Sequence, residues 1–218
     1  MYILIAAATP FEIASLNAWL EEHFQSKKDG VFSKGELSVQ LVITGVGVTA
    51  TAFHLGWLMA KQKPDWVINA GIAGTFSNEL SLGSVVQVVQ ERFGDLGVEE
   101  ADGRFTDLAE MGLWPHAILS NPNPPLPGLP QCNGLTVNKV HGYQESINQV
   151  RSKYPEADIE SMEGAAVFYA CLAASVPFVE IRSVSNMVEP RNRDAWNLPL
   201  AIQNLNQVLI EMLDAIPQ

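Results

Sequence analysis

Polar side chains follow several apolar runs of this chain, and their types could bind a ligand and transfer protons. Glu12 comes soon after a first apolar run, Glu163 opens an alanine-rich segment, and Arg182 interrupts the run VPFVEIRSV. A carboxylate can accept a proton or bind hydroxyl groups, and a guanidinium can bind and orient carboxylates. Other residues in comparable places are Gly45, Gly47, the stretch 69–74, Met162, Ser185 and Asn186.

These residues converge only if a sheet brings them to one edge, because ligands of open α/β sheets bind beyond the carboxyl ends of the strands. The run 2–8, YILIAAA, is apolar without alternation, which predicts a strand covered on both faces. The segment 9–24 has helical spacing, with Thr9 as N-cap and Pro10 at the first position. Glu12 would then lie where the first strand meets the first helix.

Further apolar runs repeat this alternation of strand and helix. Strands are predicted at 37–47, 64–74, 84–92 and 176–184, and helices at 49–62, 161–174 and 199–216. The alternation favours parallel pairing of the strands. The middle of the chain, from Phe93 to about Tyr143, contains a proline-rich segment at 120–134 and is predicted to be an irregular insertion across the surface.

Length and composition limit the function classes. A chain of 218 residues with 47% hydrophobic residues predicts one domain, residues 1–218, with a sizeable core. A formal net charge of -11 disfavours binding to nucleic acid or to an anionic membrane surface. The apolar start is interrupted early by Glu12, so no signal peptide or membrane span is expected. Two distant cysteines, Cys132 and Cys171, suggest neither a disulfide framework nor a zinc site, which indicates a reduced, cytoplasmic protein.

Each polar residue of the set also has a purely structural explanation. Glu12 in the first turn of a helix is favoured by the helix dipole, and Glu163 could cap its own helix. Gly45 and Gly47 could form a tight turn, since a partial glycine motif is weak support for phosphate binding. Arg182 could belong to a salt bridge. The set as a whole is therefore more informative than any member.

Three well-separated segments resemble the purine nucleoside phosphorylase and nucleosidase family. They are Glu12 at the start of the first helix, WVINAGIAG at 66–74, and the segment 159–186, with its Met-Glu-Gly-Ala-Ala helix and Arg-x-x-Ser-Asn strand end. The resemblance runs nearly end to end. It implies an α/β fold, namely a three-layer α/β/α sandwich with a mixed, partly barrel-like central sheet.

The same resemblance implies roles in cleaving the C–N glycosidic bond of a purine nucleoside, whose ribosyl carbon becomes oxocarbenium-like. Glu12 matches the carboxylate that activates water as general base. Glu163 matches the carboxylate that binds the ribose hydroxyls, and Arg182 matches the arginine that orients the carboxylates. The residues implied to line the sugar and the base are Ile72, Ala73, Gly74, Met162 and Ser185.

Within that family, the segments 136–142 and 185–197 look most like the futalosine hydrolases of a menaquinone route. Nucleosidases that act on 6-aminopurines have Asp at the position of Asn186, and that acid can donate a proton to N7 of adenine. Asparagine cannot, but its amide can donate to O6 and its carbonyl can accept from N7–H of a 6-oxopurine. The resemblance therefore implies hydrolysis of futalosine to hypoxanthine and dehypoxanthine futalosine.

Water is the expected acceptor of the ribosyl group. Phosphorylases of the family carry arginines around the phosphate, whereas the loop TGVGVTAT at 44–51 has no basic residue. The carboxylate of Glu12 would also repel phosphate. No metal ion and no organic cofactor is implied, since water and carboxylates suffice.

Two further groups of residues are open to either interpretation. His141 or Tyr143 could contact the purine, or be ordinary polar residues of a loop. Arg191 and Arg193 could bind the benzoate carboxylate of futalosine, or form a solvated pair beside acidic neighbours. We include His141 and Arg193 among the candidate substrate-binding residues.

Other functions are compatible with the same sequence. The chain could be a nucleosidase for methylthioadenosine and adenosylhomocysteine, a purine nucleoside phosphorylase, or a non-catalytic nucleoside-binding module. The resemblance also implies a homo-oligomer, dimer or larger, in which a neighbouring subunit could complete the pocket.

Overall fold

The computed structural model describes residues 1–216, which form strands and helices along most of their length. The strands are β1 (Tyr2–Ala7), β2 (Gln25–Ser26), β3 (Val31–Lys34), β4 (Leu37–Ile43), β5 (Trp66–Thr75), β6 (Val85–Phe93), β7 (Gly97–Glu99), β8 (Phe105–Asp107), β9 (Leu119–Ser120), β10 (Gln131–Thr136), β11 (Ile159–Ser161) and β12 (Phe178–Met187). The helices are α1 (Ala14–His23), α2 (Val48–Lys61), α3 (Gln144–Lys153), α4 (Gly164–Ala174) and α5 (Leu198–Asp214). Two 3₁₀ turns lie at Pro10–Ile13 and Arg193–Ala195.

The central sheet is mixed, and part of it closes into a ring. Strand β1 pairs in parallel with β4 and β5, and β5 pairs in parallel with β12. Strand β6 then pairs antiparallel with β12 and parallel with β10, and β10 pairs in parallel with β11. Strand β11 returns antiparallel to β5, so β5, β12, β6, β10 and β11 enclose a five-stranded barrel.

Helices cover both faces of this sheet. Helices α2 and α4 bury Leu55 and Phe168 in one apolar cluster, and α1 and α5 bury Leu16 and Leu205 in another. Strand β1 lies between the two layers, which explains its run of apolar residues without alternation. The expected three-layer α/β/α sandwich with a mixed, partly barrel-like sheet is confirmed.

The first helix begins differently from the sequence prediction. Residues 10–13 form a 3₁₀ turn, and the α-helix begins only at Ala14. The cause is Asn206 of α5, whose Nδ2 donates to the carbonyl of Glu12 at 2.8 Å and whose Oδ1 accepts from Leu16 N at 2.8 Å. This side chain occupies backbone groups that a continuous α-helix would pair with each other.

The middle of the chain is less irregular than predicted. Strand β10 begins at Gln131, inside the segment 120–134 that was predicted to be a loop, and is a member of the barrel, with Leu135 and Thr136 fully buried. Its short sequence, QCNGLT, has little strand character, so neighbouring strands rather than local propensity determine its conformation. Helix α3 and strand β11 were also not predicted, and the antiparallel pairs of β6 and β11 depart from the expected parallel pairing.

No helix in residues 1–216 is long and apolar enough to cross a membrane. Both cysteines are unpaired and buried, and burial raises the pKa of Cys171 to about 12. That residues 1–218 form one domain remains a prediction.

Candidate active site

Three buried charged side chains meet at the ends of β1 and β5, the start of α4 and the middle of β12. Glu12 follows β1, Glu163 is the residue before α4, and Arg182 lies on β12. Their exposed fractions are 7%, 6% and 1%, so the protein must compensate these charges itself.

Glu12 is fixed by backbone and side-chain donors on two sides. Its Oε2 accepts hydrogen bonds from the Thr9 backbone N–H at 2.8 Å and from the Thr9 hydroxyl at 2.9 Å. Its Oε1 accepts from the backbone N–H of Ile72 at 3.2 Å. The carboxylate is thus held against β5, next to the stretch 72–74.

Glu163 is held by the loop before α2 and by Arg182. Its Oε1 accepts from the backbone N–H of Gly47 at 3.1 Å, and its Oε2 lies 3.5 Å from Nη1 of Arg182. Gly47 has a φ of 94°, a conformation that favours glycine. Burial raises the pKa of Glu163, while Arg182 and the Gly47 N–H lower it and Glu12 raises it.

Arg182 pairs with Glu163 and with a third carboxylate, that of Glu180. Its Nε donates to Oε1 of Glu180 at 2.7 Å. Burial alone would lower the pKa of Arg182, but Glu180 and Glu163 more than offset this and raise it. A Cβ on Gly71 would stand 2.1 Å from Nη1 of Arg182 and 3.0 Å from Oε1 of Glu12, so only glycine lets β5 approach this pair.

Ser185 and Asn186 lie beside the backbone of Ala73 and Gly74. The Ser185 hydroxyl lies 3.2 Å from the carbonyl of Ala73 and 2.8 Å from Oδ1 of Asn186. Nδ2 of Asn186 donates to the carbonyl of Met187 at 2.9 Å. One N–H and one lone pair of the Asn186 amide remain for a ligand.

Met162 and Glu160 lie in the segment that leads to Glu163, and His141 contacts Glu160. Met162 is half-buried directly before Glu163. The His141 backbone N–H donates to Oε1 of Glu160 at 2.9 Å, and its Nδ1 contacts the same carboxylate. One ring nitrogen of His141 is therefore occupied by a protein group.

Arg193 belongs to a segment that packs around Trp196. The guanidinium carbons of Arg191 and Arg193 lie 5.3 and 5.8 Å from the Trp196 ring centre. The Asn197 backbone N–H donates to the carbonyl of Ser185 at 2.9 Å, and the Arg191 N–H donates to the carbonyl of Gly142 at 3.1 Å. Backbone contacts thus connect this segment to the end of β12 and to the loop that carries His141.

The structure brings most of the candidate residues together, but not all in one contact group. Glu12 bonds to Ile72, Glu163 pairs with Arg182, and Glu12 and Arg182 both approach Gly71, while Ser185 and Asn186 lie beside residues 73 and 74. His141 contacts Glu160, and Arg193 contacts Trp196.

Two residues that shape the site were missed by the sequence analysis. The first is Glu180. It lies two positions before Arg182 on a strand, so both side chains point to the same face, and this spacing could have identified the pair. Asn206 lies on the buried side of α5 beside Leu205 and Leu209, where a polar residue was a usable signal.

No group of three or more His, Cys, Asp or Glu side chains within residues 1–216 is arranged to hold a metal ion.

Curated proteins similar to this chain include futalosine hydrolases and 5'-methylthioadenosine/S-adenosylhomocysteine nucleosidases. The futalosine hydrolase of Streptomyces coelicolor is 34% identical over 180 residues, which is 78% of this chain and 76% of that protein. The 5'-methylthioadenosine/S-adenosylhomocysteine nucleosidase of Colwellia psychrerythraea is 27% identical over 229 residues, covering 96% and 94% of the two chains.

Solved structures share the fold. The methylthioadenosine/adenosylhomocysteine nucleosidase of Neisseria meningitidis, in complex with methylthio-immucillin-A, superposes with a TM-score of 0.79 at 22% identity, covering 99% of each chain. The model of the phosphorylase superfamily matches residues 2–121 and 135–214. With more than half of its residues matched and a relative at 34% identity, the chain belongs to the phosphorylase superfamily.

Proposed function

We propose that this protein hydrolyses the N-glycosidic bond of futalosine and releases hypoxanthine and dehypoxanthine futalosine, a step of menaquinone biosynthesis. The observation that carries the proposal is the cluster of two buried carboxylates, Glu12 and Glu163, with Arg182, beside the half-buried Ile72 of β5. The 34% identical futalosine hydrolase of Streptomyces coelicolor supports this substrate.

Each member of the group has a role that its geometry suits. Glu12 accepts a proton from the attacking water, as a general base, because its carboxylate is fixed against Ile72 and Thr9. Glu163 binds the ribose hydroxyls and places negative charge near the oxocarbenium-like carbon. Arg182 is a positioning residue that holds Glu163. The backbone of residues 72–74 and the side chain of Met162 line the sugar and the base.

The loop 44–51 supports water rather than phosphate as the acceptor. It has no basic side chain, and the Gly47 N–H, which could bind an anion, donates to Glu163 instead. The negative charges of Glu12 and Glu163 oppose phosphate binding in the same place.

The function is tested by incubating purified protein with futalosine, inosine and methylthioadenosine, each with and without phosphate, and following free base by chromatography. We expect hypoxanthine from futalosine, with a rate that phosphate does not change. Adenine release from methylthioadenosine in preference, or a requirement for phosphate, would overturn the proposal and leave the fold intact.

A second candidate function is cleavage of methylthioadenosine and adenosylhomocysteine. The Colwellia psychrerythraea nucleosidase matches this chain over 96% of its length, more than the futalosine hydrolase does. Asn186 favours futalosine, because its amide lacks the acidic proton that a departing adenine would need at N7. The expected homo-oligomer and the cytoplasmic location remain predictions.

Replacing Asn186 by aspartate is expected to shift the preference from 6-oxopurine to 6-aminopurine nucleosides. The amide matches O6 and N7–H of hypoxanthine at two points, and a carboxyl group can donate only to N7. The measurement is the ratio of kcat/KM for inosine to that for adenosine, which we expect to fall by at least about tenfold. Asn148→Asp, on the exposed face of α3, is the matched control. An unchanged ratio would refute the role of Asn186.

Replacing Arg193 by alanine is expected to raise KM for futalosine and to spare the cleavage of inosine, which has no carboxylate. Trp196 holds the Arg193 guanidinium on the segment bonded to Ser185, so a 5′ carboxylate could pair with it there. Steady-state kinetics with both substrates tests this, with Arg151→Ala, an exposed change on α3, as control. Equal losses for the two substrates would contradict it.

A further inference from the structure

Two glutamates lie behind the candidate site, inside the closed barrel. Glu91 of β6 and Glu180 of β12 are both fully buried, with exposed fractions of 0%. Neither belongs to the group that faces the substrate in the proposed function. Buried carboxyl groups are costly, so their surroundings should show what they do.

The barrel is shaped to hold the carboxyl group of Glu91. Thr136 donates from its hydroxyl to Oε2 of Glu91 at 2.8 Å, and the Ala165 backbone N–H donates to that same hydroxyl at 2.7 Å. A Cβ on Gly134 or Gly164 would stand 2.2 or 2.1 Å from Oε1 of Glu91. Both positions therefore need glycine to leave room for it.

The two buried carboxyl groups approach each other closely. Oε1 of Glu180 stands 2.6 Å from the point where a Cβ on Gly164 would lie, and Oε1 of Glu91 stands 2.1 Å from the same point. Burial, followed by the charge of Glu180, raises the pKa of Glu91 well above its ordinary value, while Thr136 and Arg182 lower it. The buried Cys132 thiol also faces this pair, and burial raises its pKa too. Glu91 therefore stays protonated to a higher pH than an exposed carboxyl group would, whereas Glu180 forms an ion pair with Arg182 at 2.7 Å.

One guanidinium thus serves several carboxylates. Nε of Arg182 lies 2.7 Å from Glu180, whereas its Nη1 lies 3.5 Å from Glu163. The attraction between Arg182 and the closer, fully buried Glu180 is the stronger one, because electrostatic attraction grows at short distance and in a medium of low polarity. The charge of Glu163 is therefore less well balanced by Arg182 than the charge of Glu180.

We propose that Glu180 is a positioning residue for Glu163. By pairing with Nε of Arg182, Glu180 weakens the electrostatic stabilisation that Arg182 gives to the Glu163 carboxylate, and so sets the pH at which Glu163 becomes ionised. The inference rests on the proposed function, because it concerns the carboxylate assigned to the ribose. The groups that face Glu163 are Arg182, the Gly47 N–H, Glu12 and Glu180. Among these, Glu180 contributes charge without lining the substrate position.

The experiment compares the pH dependence of kcat/KM in wild type, Glu180→Gln and Glu91→Gln. Glutamine at 180 can still accept the Nε–H bond but has no charge, so the Arg182 cation is no longer balanced by Glu180 and the pKa of Glu163 falls. Activity then persists to lower pH than in wild type, because Glu163 stays ionised there. Because its raised pKa keeps Glu91 protonated through the acid range, Glu91→Gln removes little charge there, and its acid limb is expected to coincide with that of wild type.

Two results would overturn the inference: an unmoved acid limb in Glu180→Gln, or an equal displacement in Glu91→Gln.

A substrate-independent measurement is the pH titration of the Glu163 carboxyl by ¹³C NMR, with the signal assigned through Glu163→Gln. We expect its midpoint to fall in Glu180→Gln. If wild type releases no base from any nucleoside, the proposed function fails, and the carboxyl titration still decides the inference. If Glu180→Gln does not fold, Glu180→Met, which also removes the charge, is titrated in the same way, and an unmoved midpoint contradicts the inference.

Discussion

Replacing Glu12 by glutamine is expected to lower kcat for base release by about 10² to 10⁴-fold, the range for loss of a general base. Glutamine has nearly the same shape, and its carbonyl oxygen can still accept from Ile72 or from Thr9. It cannot accept a proton from water at neutral pH. The expected change therefore falls on the chemical step and not on binding.

The measurement is steady-state kinetics together with calorimetric titration of the product base into both forms. The matched control is Glu21→Gln, an exposed change on α1. Base release by Glu12→Gln within tenfold of wild type, with folding intact, would show that another group activates the water. Loss of base binding in parallel with kcat would point to a structural role for Glu12.

Replacing Arg182 by methionine is expected to lower the free energy of unfolding by about 3 to 5 kcal/mol, as for removal of one partner of a buried ion pair. Methionine has a similar length but leaves Glu163 and Glu180 without their cation. Since Arg182 lowers the pKa of Glu163, its loss raises that pKa further. The folded variant then binds protons more tightly than the unfolded chain, so its stability falls as the pH rises above the ordinary carboxyl range.

Urea unfolding at about pH 5 and pH 8 tests this expectation against Arg151→Met, an exposed change on α3. The loss in Arg182→Met should be larger at the higher pH. A loss that is equal at both pH values would mean that the guanidinium packs as an apolar group and does not balance the buried carboxylates.

The sequence predicted the layers of the fold better than its closure. Strand β1 and helices α2, α4 and α5 have long periodic patterns that survive tertiary packing, and they were predicted within a few residues. Strands β10 and β11 are short and have mixed composition, so only their neighbours in the barrel define them. The prolines of residues 120–134 signalled a loop but gave no warning that a barrel strand overlaps its end.

The candidate residues could be identified from the ends of the predicted strands, but the contacts among their side chains could not be predicted from the sequence. Glu12, Glu163 and Arg182 stand out because charged residues next to apolar runs are unusual. How strongly Arg182 interacts with Glu163 and with Glu180 depends on the distances of 3.5 and 2.7 Å, which no spacing in the sequence encodes. The bond from Asn206 to Glu12 joins residues 194 positions apart and likewise depends on the complete fold.

That long-range bond has a consequence for the synthesis of the protein. The carbonyl of Glu12 and the N–H of Leu16 acquire their side-chain partner only after residue 206 has been synthesised and has emerged from the ribosome. Until then the first turn of the nascent chain lacks the contact that separates it from an ordinary α-helix. Contacts between such distant positions form late, because the chain must first be ordered over the whole intervening length. A ribosome-bound chain stopped before α5 should therefore contain β1 and α1 but no competent site, so that activity appears only as α5 docks.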